Sequence, residues 1–395
     1  MKVSFVNYKV QYKNLKREIN KTVQRALSRG DLILRKDVED FEKKLANFVG
    51  TKHAVGLNSG TDALFLSLKA AGIGKGDETI TVSHTFVASI SVIVQAGAKP
   101  ILVDVGNDFL MDAEKIEKVI TKRTKAIIPV YLNGRMCDME RIMAIARKND
   151  LIVIEDAAQA LGASFKNKKA GSFGLTGCFS FYPAKVLGCF GDGGAVTTNN
   201  SKIAEKIRLF RDHGQTKTPT GVRQVGPYGA SKTQIMCYGW NSRLDNLQAA
   251  ILNFKFKYFK GWIKKRREIA KIYEKGLSKI TEIRLPPAPE GRGSLNEIER
   301  PAPDSDPRFF DVFQNYVLRA QKRDELFYFL KKKGVETLIK DPVPNHWHKG
   351  LSLSHFKLPY TEQLAKEVIS LPMYPELTNK QLDYIINCVK RFYTP

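Results

Sequence analysis

The residues most suited to chemistry are a carboxylate and a lysine that each follow a short apolar run. Residues 151–154 form one such run and lead into Glu155 and Asp156, whereas Lys185 follows a second run that ends at Phe181. About one strand–helix–strand unit separates Asp156 from Lys185, so both can emerge at the same edge of a parallel sheet. Open α/β sheets bind ligands at that edge. The spacing therefore predicts a shared site.

This pair of residues would suit a pyridoxal cofactor. An ionised aspartate can keep a pyridine nitrogen protonated, which makes the ring an electron sink. A partly desolvated lysine has a lowered pKa and can form a Schiff base with an aldehyde. Each residue alone also has an ordinary explanation, because an aspartate after a strand often caps the next helix and most lysines lie on the surface. Only their combination favours catalysis.

A cofactor phosphate would need a helix N-terminus with small residues, where backbone N–H groups and the helix dipole face the anion. The apolar period over residues 62–71 predicts a helix, and Ser59, Gly60 and Thr61 lie at its start. Such a run is also a common helix cap. These residues are therefore a candidate phosphate site, with an ordinary cap as the alternative.

Two further side chains could complete such a site. Ser180, shortly before Lys185, could offer its hydroxyl to the same phosphate. Phe86 follows an apolar run and could stack on a flat ring. A phenylalanine in that position is more often part of the core, so its role stays open.

Short apolar runs alternate with helical patterns from about residue 50 to residue 200. This alternation predicts an α/β fold in which a mostly parallel, mixed sheet lies between helices. The candidate strands cover residues 79–82, 101–104, 126–130, 151–155, 178–181 and 195–198.

A proline-rich and charged segment over residues 286–307 has no apolar period and is typical of a linker. It divides the chain into a large domain, residues 1–285, and a region of linker and smaller C-terminal α+β domain, residues 286–395. In the latter we predict a strand over 311–319 and helices over 323–333 and 379–392.

The composition is that of a globular protein with an unusual charge. The chain has 395 residues, 43% of them hydrophobic, and a formal net charge of +24. Such an excess attracts anions and can give weak, salt-sensitive nucleic-acid binding, but no recognition helix or basic–aromatic repeat supports that role. The densest basic run, residues 264–267, is interpreted as a solvated helix face, with an anion-binding patch as the alternative.

Several other classes of protein are not favoured. The five cysteines are scattered without a CxxC pair, so we expect free thiols and neither a disulfide framework nor a metal site. No run approaches the roughly 20 apolar residues of a membrane span, and the first residues lack the layout of a signal peptide. We therefore expect a cytoplasmic protein without a membrane partner.

Taken in order along most of the chain, these motifs resemble the DegT/DnrJ-like nucleotide-sugar aminotransferases, which have the aspartate-aminotransferase fold (fold type I). The shared motifs cover residues 58–64, 76–78, 85–88, 124–130, 155–159, 180–185, 191–194, 241–245 and 371–373.

The resemblance implies pyridoxal 5'-phosphate as the cofactor and a role for each candidate residue. Lys185 would be the catalytic residue that forms the Schiff base, Asp156 would pair with the pyridine nitrogen, and Gln159 would bond the ring hydroxyl. Phe86 would stack on the ring. The phosphate would be held by Gly60, Thr61 and Ser180.

The resemblance also implies a homodimer with shared active sites. Asn241 would reach the cofactor phosphate of the neighbouring subunit, and Arg243 would lie near the nucleotide-sugar; a helix cap is the alternative for this stretch. In the small domain, Tyr316 and His346, together with Phe313, Trp347 and His348, could contact the sugar, or could simply be core or surface residues.

The implied reaction moves an amino group from an amino acid, L-glutamate by resemblance, to a keto-sugar on a nucleoside diphosphate. The motifs favour a 3-keto sugar over a 4-keto sugar. Two loops, at Arg35-Lys36 and at Asn133-Gly134-Arg135, depart from the family pattern and put the sugar's identity in doubt. A dehydrating or deoxygenating enzyme of the same fold and a regulatory nucleic-acid-binding protein are the alternatives, although Lys185 argues against the branch that replaces this lysine by histidine.

Overall fold

The computed structural model describes residues 1–216, 234–286 and 308–394. The predicted linker lies outside the described residues, apart from Pro286. The helices are α1 (Tyr8–Ser28), α2 (Lys36–Val49), α3 (Gly60–Ala70), α4 (Ala88–Gln95), α5 (Ala113–Ile116), α6 (Met139–Lys148), α7 (Ser201–Phe210), α8 (Asn246–Leu277), α9 (Arg323–Lys332), α10 (Pro359–Glu367) and α11 (Asn379–Tyr393). The strands are β1 (His53–Leu57), β2 (Glu78–Val82), β3 (Lys99–Val103), β4 (Thr124–Ile127), β5 (Ile152–Asp156), β6 (Ser164–Phe165), β7 (Lys168–Lys169), β8 (Thr176–Ser180), β9 (Gly194–Thr198), β10 (Ile283–Arg284), β11 (Phe309–Phe310), β12 (Tyr316–Ala320) and β13 (Val368–Leu371).

The main sheet has seven strands in the order β1-β9-β8-β5-β4-β2-β3. Its strands are parallel except β9, which runs antiparallel to both of its neighbours. All six strands predicted for this part of the chain are present, and the predicted α/β class with a mostly parallel mixed sheet is confirmed. Strand β1 was not among the predicted strands, although Gly50 ends α2 in a left-handed conformation three residues before it.

Helices cover both faces of the main sheet, and successive side chains of each strand point to opposite faces. In β5, Val153 faces a hydrophobic core with residues of α2, α6 and α8, whereas the next residue, Ile154, faces a core with residues of α3, α4 and α7. Each side chain on a buried parallel strand thus has a hydrophobic environment, which explains why these strands are continuous apolar runs.

A smaller unit is built on the antiparallel sheet β10-β12-β13. Its hydrophobic core contains residues of α9 and α11 together with Ile269, Tyr273 and Leu277 from the second half of α8. Helix α8 therefore contributes to two cores. The domain boundary after residue 285 remains a prediction, but the packing of the smaller core already begins on α8.

The strand predicted over residues 311–319 needs correction, since β12 begins only at Tyr316. Phe313 has a left-handed backbone conformation with φ of 49°. Residues without a glycine's freedom rarely adopt that conformation, and it is incompatible with a strand. The segment that precedes β12 is therefore irregular, and it borders the cavity described below.

Two glycines permit a close backbone approach between β8 and the segment that leads into it. A Cβ atom on Gly177 of β8 would overlap the Cα atom of Gly171 and lie 2.6 Å from its carbonyl oxygen. Because both obstructing atoms belong to the backbone, a rotamer change cannot relieve the overlap. We expect Gly177→Ala to lower the melting temperature of the protein, at a cost of about 1–3 kcal/mol.

Gly261→Ala is the matched control, because a Cβ atom there meets nothing within 4 Å and the residue lies within α8. This change should stabilise the helix slightly, by roughly 0.5–1 kcal/mol. The melting temperatures are measured by circular dichroism. Equal values for the two variants would contradict the close approach of Gly177 to Gly171.

Candidate active site

A cavity of about 560 Å³ lies at the carboxyl ends of β4, β5 and β8, next to the N-terminus of α3. The parallel pairing of β5 with β8 sets Asp156 opposite Cys178, so the two strands end side by side. Most of the predicted cofactor residues line this cavity: Gly60, Thr61, Phe86, Asp156, Gln159, Ser180 and Lys185.

Asp156 lies at the end of β5 with 5% of its surface exposed. Its Oδ2 atom accepts a hydrogen bond of 2.7 Å from the Ser89 hydroxyl, and its Oδ1 atom accepts one of 3.2 Å from the Ala158 N–H group. Burial raises the pKa of Asp156, whereas these bonds and the nearby Lys185 oppose that rise. The carboxylate is thus oriented and partly stabilised, and it suits a positively charged ring nitrogen.

Lys185 follows β8 in a turn closed by a hydrogen bond of 2.8 Å from its own N–H group to the Tyr182 carbonyl. Burial and the like charge of Lys340 lower the pKa of Lys185 to about 8, while Asp156 acts in the opposite direction. A larger fraction of this amine is therefore neutral near pH 7 than is usual for lysine, as a nucleophile for an aldehyde requires.

The side chain of Gln314 holds the backbone on both sides of Lys185. Its Nε2 atom donates a hydrogen bond of 2.6 Å to the Ala184 carbonyl, and its Oε1 atom accepts one of 2.9 Å from the Val186 N–H group. This residue comes from the segment before β12 in the smaller unit. No sequence signal pointed to it, since the contact bridges 128 residues along the chain.

The start of α3 forms a cradle for an anion. Ser59 caps the helix by accepting a bond of 3.0 Å from the Asp62 N–H group, which leaves the N–H groups of Gly60 and Thr61 without partners in the described chain. A Cβ atom on Gly60 would lie 2.7 Å from Cβ of Ser180. The absence of a side chain at Gly60 thus brings the Ser180 hydroxyl against the helix terminus, and the group suits a phosphate.

Gln159 and Phe86 complete the part of the cavity that suits a ring. The Gln159 Oε1 atom accepts hydrogen bonds from the Asn133 N–H group at 3.0 Å and from Asn315 at 3.4 Å, so its NH₂ group remains to donate. The Phe86 side chain is 58% exposed although it lines the cavity. Its face is available for stacking, and the roles of both residues remain predictions. Together, the carboxylate, amine, anion cradle and aromatic face fit pyridoxal phosphate.

Two of the predicted sugar contacts, Tyr316 and His346, do not line this cavity. Tyr316 is 1% exposed and packs in the core of the smaller unit, with its ring 4.9 Å from that of Tyr273. It begins β12, where successive side chains point to opposite faces, so its neighbour Asn315 reaches the cavity instead. His346 is fully buried and bonds Ser83 at 2.8 Å and Glu362 at 3.3 Å. Both side chains are thus buried away from the cavity, and a contact with the sugar remains a prediction.

Asn241 and Arg243 do not line this chain's cavity. Asn241 is exposed, and Arg243 forms an ion pair of 2.8 Å with Asp212. This position is compatible with a role in a neighbouring subunit. Their contacts with a cofactor or substrate remain predictions.

The basic run over residues 264–267 was predicted to be a solvated helix face or an anion-binding patch. Its last two residues instead donate hydrogen bonds to backbone carbonyls of the protein. Arg266 is buried and donates hydrogen bonds to the carbonyls of Phe313, Gln314 and Met373. Arg267 donates to the Asp311 carbonyl at 2.7 Å. Helix α8 thus holds the segment that carries Gln314.

The described residues contain no helix long and apolar enough to cross a membrane. Within the same ranges, no group of histidine, cysteine and acidic residues is arranged to hold a metal ion. The five cysteines are free, and four of them are buried.

The fold and the site define the class of protein: an α/β enzyme of the pyridoxal-phosphate type with its lysine at the end of a sheet strand. The family model described as the DegT/DnrJ/EryC1/StrS aminotransferase family matches residues 13–390, so the chain belongs to this family. This membership confirms the predicted enzyme class, an aminotransferase, and its cofactor.

Relatives of known name cover nearly the whole chain. It is 39% identical to a pleiotropic regulatory protein of Geobacillus stearothermophilus, over 100% of this chain and 99% of the relative. It is 36% identical to the dTDP-3-amino-3,4,6-trideoxy-alpha-D-glucose transaminase of Streptomyces venezuelae, over 99% and 96%. The crystal structure of DesV from S. venezuelae superposes with a TM-score of 0.88 at 36% identity, covering 100% of this chain and 99% of that one.

Loss of the two hydrogen bonds from Gln314 to the backbone around Lys185 should slow catalysis more than it destabilises the protein. Gln314→Met keeps the side chain's length but removes both hydrogen bonds, so the backbone of Lys185 loses its fixed position. Misplacement of a catalytic group by about 1 Å can cost on the order of 100-fold in rate, and we expect kcat to fall about 10- to 100-fold.

Gln248→Met is the control for this change, because Gln248 clamps the backbone of Phe190 with a similar pair of bonds, 3.0 and 3.2 Å. Its kcat should stay within about threefold of the wild type, since the clamp does not hold Lys185. An equal loss in both variants would contradict the assigned role of Gln314.

The amine of Lys185 should react as a neutral nucleophile at an unusually low pH. In cofactor-free protein, the rate of its reductive methylation by formaldehyde and cyanoborohydride should rise through a midpoint near 8. Ordinary exposed lysines should respond near roughly 10.4. Lys340→Met should move the midpoint for Lys185 upwards by removing a like charge. Mass spectrometry of the peptide containing Lys185 measures both, and a midpoint equal to that of the surface lysines would contradict the expected effect of burial.

Proposed function

We propose that this enzyme transfers the amino group of L-glutamate to a keto-sugar carried on a nucleoside diphosphate. The observation that carries the proposal is the convergence of Lys185, Asp156 and the anion cradle of α3 on one cavity. Relatives at 36–38% identity over nearly the whole chain have names that describe transaminases of nucleotide-linked sugars, which supports the acceptor class.

The residues of the cavity would have different roles in this reaction. The cofactor, when bound, supplies an electron sink for the charge that develops as the donor's Cα–H bond breaks. Lys185 would act as the general base that carries this proton. Asp156 would keep the ring nitrogen protonated, and Ser89 holds Asp156 in place by its hydrogen bond of 2.7 Å. The helix terminus at Gly60 and Thr61 would hold the phosphate, which would keep the donor carbon within reach of Lys185.

We propose carbon 3 as the position of amination. The names of several relatives place the nitrogen or the keto group at this carbon, as in a 3-amino-3,6-dideoxy-galactose transaminase and a 3-oxo-glucuronate aminotransferase. A 4-keto sugar is the alternative. A deoxygenating enzyme of the same fold would not carry out the half-reaction with an amino acid, so that half-reaction distinguishes the two chemistries.

We further propose a cytoplasmic homodimer in which each subunit completes the site of the other. Two aromatic side chains that line the cavity are strongly exposed in the single chain: Phe86 at 58% and Tyr182 at 54%. Exposed apolar side chains of this kind are suited to burial in a subunit interface. In such a dimer Asn241 would reach the neighbour's cofactor phosphate and Arg243 its nucleotide-sugar.

The absorbance spectrum of the purified protein tests the proposed donor reaction. A band at ~410–430 nm is expected from the lysine–cofactor bond. Addition of L-glutamate should replace it by a band at ~330 nm, as the cofactor takes up the amino group. A panel of 3-keto and 4-keto nucleotide-sugars should then restore the first band with only one class.

Lys185→Ala is the control for this experiment. It should retain noncovalent cofactor binding but lose the half-reaction, because both the covalent bond and the general base are missing. If the wild-type band ignored every amino donor, the transamination proposal would fail and the deoxygenating alternative would gain support. Turnover that survives in Lys185→Ala would exclude Lys185 as the catalytic residue.

A further inference from the structure

A second lysine, Lys340, lines the same cavity as Lys185. It belongs to the smaller unit and lies two residues after Leu338, whose backbone pairs with Ser370 of β13. Its positive charge acts to lower the pKa of three nearby groups: Lys185, Asp156 and the buried His84. Lys340 is therefore close to the reaction centre, although neither its sequence position nor the family resemblance marked it.

The ammonium group of Lys340 has no hydrogen bond or ion pair with the residues that the structure describes. The neighbouring carboxylates of Asp341 and Asp156 favour its charged form only from a distance, and burial lowers its pKa. A half-buried lysine without a paired carboxylate is less stable than one completed by an anion. The cavity therefore contains a cation that is available to an anionic ligand.

Three anionic groups of the proposed reaction could bind Lys340: the cofactor phosphate, the diphosphate of the nucleotide-sugar and the α-carboxylate of the donor. The cofactor phosphate already has the cradle at Gly60 and Thr61. The diphosphate of a nucleotide-sugar is separated by several bonds from the carbon that is aminated. In an amino-acid donor, by contrast, the α-carboxylate is bonded directly to the carbon from which Lys185 takes the proton. Among the residues known to line the cavity, Lys185 and Lys340 are its cations, and Lys185 is occupied with proton transfer.

We infer that Lys340 binds the α-carboxylate of the amino-acid donor, and the carboxylate of the keto acid that leaves. This assignment rests on the proposed transamination, and it makes the donor subsite a feature of the smaller unit. A charge-assisted hydrogen bond to the carboxylate would orient the donor so that its Cα–H bond points towards Lys185.

The test measures two affinities of the holoenzyme, one for the amino-acid donor and one for nucleotides. Stopped-flow absorbance gives the apparent Kd for L-glutamate with the wild type, Lys340→Met and Lys340→Arg. Loss of a hydrogen bond to a charged group should weaken the donor's affinity about 10- to 100-fold in Lys340→Met. The arginine variant, which keeps the charge, should recover most of it. Lys332→Met is the control, because it removes the same charge from an exposed position on α9.

The second readout is the affinity of the pyridoxamine form for UDP and dTDP. It should change less than about threefold in Lys340→Met, because the inferred contact is with the donor alone. Unchanged affinity for L-glutamate would overturn the inference, as would a loss confined to the nucleotides, which would assign Lys340 to the diphosphate. If Lys340→Met gave no folded holoenzyme, a comparison of Lys340→Gln with Lys340→Arg would decide, and equal donor affinities would count against the inference.

Failure of this inference is distinguishable from failure of the proposed function. A wild-type enzyme that does not react with L-glutamate contradicts the transamination itself. A wild-type enzyme that reacts, with a Lys340→Met variant of equal donor affinity, contradicts only the role of Lys340.

Discussion

The parallel pairing of β5 with β8 is the constraint on which the site depends. It places the ends of the two strands side by side, so Asp156 and the turn that carries Lys185 open into one cavity. The pairing also buries Asp156, and burial has opposite consequences for the two groups. The pKa of the carboxyl rises and the pKa of the amine falls. The lowered pKa increases the neutral fraction of the Lys185 amine, as a nucleophile or general base requires. The hydrogen bonds to Asp156 and the charge of Lys185 oppose the rise of the carboxyl pKa.

Two adjacent carboxylates at the end of β5 serve different purposes because neighbouring side chains on a strand point to opposite faces. Glu155 points away from the cavity and accepts hydrogen bonds from the N–H groups of Gly171, Phe173 and Gly174 and from the Tyr131 hydroxyl. It holds the connection that leads into β8. Asp156 points into the cavity. Strand geometry thus gives one carboxylate a structural role and leaves the other for a ligand.

The smaller unit is an integral part of the site. Arg266 on α8 binds three backbone carbonyls, two of them in the segment before β12. That segment in turn supplies Gln314, which clamps the backbone around Lys185, and Asn315, which contacts Gln159. Lys340 reaches the cavity from the same unit. The geometry around the Lys185 amine therefore depends on how the two hydrophobic cores pack. A change in their relative position would move Gln314 and Lys340 with respect to Lys185.

The sequence by itself determined the sheet and the central residues of the site. Apolar runs on buried strands and the period of α3 are local patterns, and Asp156, Ser180, Lys185 and Gly60 lie at the ends of these elements, where a parallel sheet gathers them. Only the tertiary structure decided which side chains from distant segments join them. Gln314 and Lys340 carry no local signal, whereas Tyr316 and His346 were plausible contacts that turned out to be buried elsewhere. The reason is physical: a periodic pattern determines which face of its own element a side chain occupies, but the partner of that face depends on how separate cores pack.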